Sequence, residues 1–145
     1  MRRFLVLIGV MSCLATTFGQ EKPLLRLDGY WWARQDQANK VTFAFGFAAG
    51  ATESSAEAKE FFSLLHCKEE TQKVANLKSH LDDWNFSSIA APQLVEGVDE
   101  FYRDFRNKGI HVVRAMLYVS AQIRGVPSDE LAHRLDGLRK LAAEP

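Results

Sequence analysis

The sequence predicts an all-α fold, a small helical bundle of about five helices preceded by a cleavable signal peptide. Three observations carry this expectation. Beyond Gln20 the apolar residues recur at three- and four-residue intervals almost throughout, no alternating strand pattern interrupts them, and the connections between periodic segments are short. The 145 residues, 47% hydrophobic and 25% charged, suit one folding unit. A chain of this size buries roughly two-thirds of its unfolded surface without disulfides or metals. Residues 1–19 read as the signal peptide and residues 20–145 as a single helical domain.

Arg2 and Arg3 precede an apolar run over residues 4–11, and Thr17 and Gly19 close it with small residues. That is the three-part layout of a secretory signal, and it turns polar too early for a membrane-spanning helix. The expected location is therefore secreted or periplasmic. Val10, Met11, Ser12 and Cys13 also resemble a bacterial lipobox with an atypical Met, the alternative being an outer-membrane structural lipoprotein acylated at Cys13. Loss of residues 1–19 removes two basic residues and no acid, which leaves 16 basic against 18 acidic residues. It also leaves Cys67 as the one cysteine, so no internal disulfide supports the fold.

In the domain, Asp28 is placed to cap a short helix carrying Tyr30, Trp31 and Trp32, and Asp36 to cap a helix over residues 37–51. Val41, Ala44, Phe45 and Ala48 give that helix an apolar stripe, and Gly46 and Gly50 predict close approach of a second helix. Ser54 and Ser55 are expected to start a new helix bearing Ala58, Phe61, Phe62 and Leu65, followed by a narrow-faced helix over residues 68–80. Trp84 and Phe86 are expected to plug a loop into the core. Pro92 opens a helix whose Leu94, Val95, Val98, Phe101, Tyr102 and Phe105 share one face and which is expected to run to Arg106. Asn107 to Gly109 and Gly125 to Pro127 are stop signals, with a helix of Val112, Val113, Met116, Val119 and Ile123 between them. Ser128 is expected to cap a last helix with a stripe of Leu131, Leu135, Leu138 and Leu141.

The formal charge of zero supplies none of the phosphate attraction that dominates nucleic-acid affinity, so no nucleic-acid partner is expected. Cys67 stands beside His66, but neighbours on a helix point about 100° apart and make a poor nucleophile and base. His80 with Asp83 is the nearest approach to a metal-ligand spacing, and His111 and His133 have no such neighbour. No cofactor, metal or catalytic residue is expected; a small hydrolase-like enzyme using Cys67 or a histidine is the second alternative. Glu96, Glu100 and Asp104 repeat every four residues and read as a solvated stripe, with Arg103 and Lys108 as partners for Asp99 and Asp104. The candidate binding residues are Tyr30, Trp31 and Trp32, because three consecutive aromatics on a helix cannot all face inward, and Arg103 and Arg106, which gather with Lys108 and Arg114 as a basic patch. These point to a non-catalytic protein that acts through a protein partner, with a homodimer open as well.

Asp28, Gly29 and Trp31, then Lys40, Phe43, Gly46 and Gly50, then Phe101, Tyr102, Asp104, Asn107 and Ile110, then Ile123 and Gly125 form a layout that resembles small secreted bacterial helical proteins of uncharacterised role. Around Phe43 to Gly50 the chain also resembles the aromatic-x-x-Gly-x-x-x-Gly helix of the Rap1a/Tai immunity proteins, periplasmic helical inhibitors of amidase toxins. That resemblance implies a helical fold, an envelope location and an immunity or inhibitor role. The family's disulfide-forming cysteines have no counterpart here.

Overall fold

A computed structural model of the chain describes residues 26–64 and 72–144. The expected signal peptide, Cys13, His66 and Cys67 lie outside those residues. The described residues form six α-helices: α1 (Gly29–Trp32), α2 (Gln37–Leu64), α3 (Gln72–Asp83), α4 (Ala91–Phe101), α5 (Val112–Ile123) and α6 (Ser128–Ala143), with a 3₁₀ turn at Phe105–Asn107. No strand occurs among them, only an isolated antiparallel bridge between Asp28 and His111. None of these helices is long and apolar enough to cross a membrane.

The two central helices are α4 and α5. Leu94, Val95 and Val98 of α4 and Val112, Ala115, Met116 and Val119 of α5 are sealed from solvent, and each such side chain larger than Ala stabilises by about 1.5–3 kcal/mol relative to exposure. α2 covers one side of this pair through Ala44 and Ala51, joined by Trp32, Phe86 and Ile89, while α6 lies against α5. Gly97 lets α4 and α5 meet, because a Cβ there would stand 2.4 Å from Val119 Cγ1.

Asp28 caps α1 as its position implies, accepting from the amides of Tyr30 and Trp31 at 3.0 and 3.1 Å. Asp36 accepts from the Asn39 amide at 2.7 Å. The expected break before Ser54 does not occur, and α2 continues unbroken for 28 residues. Ser55 is buried and its hydroxyl donates back to the Thr52 carbonyl at 2.8 Å, so it serves the interior of one helix rather than the start of another. Gly46 and Gly50 face open space, with nothing within 4 Å of an added Cβ, which corrects the expectation of close approach there.

α4 ends at Phe101, short of Arg106. Asn107 turns back to donate to the Phe101 carbonyl at 2.8 Å, and the Tyr102 hydroxyl donates to the Ile110 carbonyl at 2.7 Å. Phe105 is thereby thrown off the apolar face and is 80% exposed. Gly109 does not adopt a positive φ, whereas Gly125 does (78°). At Gly125 the amide bonds to Gln122 and that of Val126 to Ala121, the paired bonds of a Schellman ending. Pro127, not Ser128, is the N-cap of α6, and no side chain caps it. Phe86 does plug the core, while Trp84 stays 37% exposed with its ring 6.2 Å from that of Phe47.

Candidate functional site

Burial along α6 fades from its first turn: Leu131 is buried, Leu135 and Leu138 are partly covered, and Leu141 is 51% exposed. A helix held this shallowly leaves grooves on its flanks. One is an open cleft of about 530 Å³ between α4, α5 and α6. Ile123 and Leu135 supply its apolar lining over the buried Phe101 and Val119, Tyr118 adds a ring, and Glu96 and Glu100 of α4 are exposed on its rim. Phe101 and Tyr118 have ring centroids 5.2 Å apart, which fixes the aromatic part of the wall.

One end of the cleft is built from charged groups that hold one another. Arg139 of α6 donates from Nε to Asn107 Oδ1 at 2.9 Å and from Nη2 to Asp104 Oδ2 at 2.9 Å. Arg106 adds bonds to both Asp104 oxygens at 3.0 and 2.6 Å. The Arg106 hydrogen bonds, ahead of the Coulomb attraction of Arg106 and Arg139, lower the Asp104 carboxyl to about 2. Asp104 is thus a fixed negative charge at neutral pH, an acceptor and positioning group with no proton to give.

The acidic residues from Glu96 to Asp104 are accordingly divided in use. Asp99 is not paired with Arg103; it accepts from the Trp32 indole at 2.7 Å and from Lys40 Nζ at 2.7 Å, tying α4 to α1 and α2. Arg103 pairs with Glu100, and Asp104 pairs with Arg106 and Arg139 rather than with Lys108. Glu96 and Glu100 remain on the surface.

Of the residues singled out from sequence, Arg103 and Arg106 stand beside this cleft as partners of carboxylates that line it. Tyr30 is 63% exposed on α1. Trp31 is half-buried with its ring 5.2 Å from that of Phe43, and Trp32 is 1% exposed and belongs to the core. The turn from Asp104 to Asn107, expected to end one helix and aim the next, begins after α4 has ended at Phe101, and its Asn107 donates back to the Phe101 carbonyl. Arg139 escaped the sequence reading. Its signal was its place four residues after Leu135 at the edge of the leucine stripe, where a long side chain reaches the body rather than bulk water.

Asp83, the other half of the His80 pair, contacts Arg124 at 3.4 Å and Arg134 at 3.6 Å, so its carboxylate is already neutralised. No group of three or more metal-ligating side chains gathers among the described residues. His111 caps α5, its Nδ1 accepting from the Val113 amide at 3.3 Å, and burial, then Arg114, lowers its pKa from 6.5. No protein-family model matches this chain, and no curated protein and no solved structure matches it either.

Proposed function

We propose that this chain is an exported, non-catalytic binding protein of the immunity or inhibitor kind, and that it holds a protein partner in the cleft between α4, α5 and α6. The observation that carries the reading is the cleft itself: an open, partly apolar trough of about 530 Å³ with two exposed carboxylates, Glu96 and Glu100, on one wall. Such a surface complements a partly apolar segment that carries a cation, whose aliphatic stem lies on Tyr118, Ile123 and Leu135 while the cation meets Glu96, with Glu100 shared with Arg103. Arg139 and Asp104 pre-set the end wall, so little ordering is left for binding to cost. The Rap1a/Tai resemblance favours a helical fold and an envelope location.

The test is capture of partners from the cell-envelope extract of the source organism, with wild-type bait beside the Glu96→Lys/Glu100→Lys variant. Both glutamates are exposed, so the variant is expected to keep its helical circular dichroism. The reading expects a stoichiometric protein retained by wild type and lost, by at least about tenfold, from the variant. A partner retained equally by both, or none retained by folded wild type, contradicts it.

A further inference from the structure

A second groove, of about 660 Å³, runs along the other flank of α6 between α3 and α5. Its wall is apolar in Trp84, Leu117, Tyr118, Leu138 and Leu141, and Gly137 leaves it open, with nothing within 4 Å of an added Cβ. The titratable groups facing it are His80, Asp83, Arg114, Arg134 and Tyr118. Asp83 is held by Arg124 and Arg134, and Arg134 also bonds Glu130 at 2.7 Å. The Arg114 guanidinium has no ion-pair partner among the described residues, and it lies where this groove meets a second depression bounded by His111 and Glu144. Leu138 and Leu141 line both hollows, so the apolar surface is continuous past the cation.

We infer that this groove binds a single-chain amphiphile bearing one carboxylate, a long-chain fatty acid, with the head group on Arg114 and the chain laid along Leu117, Leu138 and Leu141 towards Trp84. One uncommitted guanidinium matches one carboxylate in charge and in bidentate geometry. The apolar wall takes the chain and the exposed Arg114 guanidinium takes the carboxylate, so the two select the same molecule. Asp83 does not repel the ligand, because two guanidinium groups neutralise it. Glu144 lies in the adjoining depression, which Trp84 does not line. The site shares only Tyr118 with the cleft that carries the functional reading, and its test does not depend on that reading.

The experiment is a titration of the purified protein with dodecanoate below its micellar concentration, followed by tryptophan emission. A Trp84→Phe control separates this signal from Trp31 and Trp32. The expected result is a saturable change that vanishes in Trp84→Phe, that needs at least about tenfold more ligand in Arg114→Gln, and that weakens comparably with dodecanol. Gly137→Leu, which fills the groove without a clash, is expected to block the response while preserving the helical signal. Equal response to dodecanoate and dodecanol, unchanged binding by Arg114→Gln, or no saturable response overturns the proposal. A Trp84 change that follows protein concentration alone would place a second copy in the groove and overturn it equally.

Discussion

Three consecutive aromatics, Tyr30, Trp31 and Trp32, end in three environments, and their partners decide which. Trp32 is interior because Asp99 accepts its indole hydrogen and Lys40 sits 5.4 Å from its ring centroid, so a polar handle is satisfied without water. Tyr102 is a comparable case with a titratable group. Burial, and then the charge of Asp28, raise its hydroxyl above the ordinary 10.0. Its neutral form is therefore favoured by folding: the stabilisation is complete below pH 10 and is lost as pH rises towards the higher folded value. A phenolate absorbance titration is expected to show Tyr102 ionising only as the protein unfolds. Tyr102→Phe leaves the buried Ile110 carbonyl without its donor, and chemical denaturation should show a loss of about 1–3 kcal/mol.

Elements were legible where one local rule decided them and illegible where a distant contact did. The Asp28 cap, the Pro92 start and the Gly125 stop each follow from the residue itself. The continuity of α2 past Ser54 depends on Ser55 facing the interior, and the early end of α4 depends on Asn107 and Tyr102 reaching across the following turn, neither of which periodicity encodes. Glycine substitutions separate the two kinds of position. Gly97→Ala drives a methyl into Val119, with an expected cost of about 1–3 kcal/mol, and Gly29→Ala meets Tyr102 Cδ1 at 2.5 Å and should cost a similar amount. Gly46→Ala and Gly50→Ala, in open helical positions, are expected to stabilise by up to about 1 kcal/mol each. Thermal melts of the four variants check the ordering. Arg124 ties two elements, donating to the carbonyls of Asp82, Asp83 and Asn85 at 3.3, 3.3 and 3.0 Å where α3 ends. Arg124→Ala is expected to cost about 1–3 kcal/mol and to speed amide exchange selectively in α3.

For the whole molecule, the all-helical class was readable because spacing and short connections are properties of the chain, and the described residues form a helical bundle. The cleft was only half readable. Glu96, Glu100, Arg103 and Arg106 stood out as charges on one stretch, but their meaning depends on Arg139, brought from a helix 32 residues beyond Asn107 to lock the end wall. It is tertiary geometry that leaves Glu96 and Glu100 as the outward carboxylates and commits Asp99 and Asp104 to the scaffold. The account's central claim is that a protein partner lies in this cleft, and site-specific photocrosslinking reads that position directly. A photoreactive residue at Gln122, on the cleft, should give a covalent adduct with an envelope protein, whereas one at exposed Phe45 on α2 should give none. An adduct from Phe45 with none from Gln122, or no adduct from either position in the folded protein, would contradict the account.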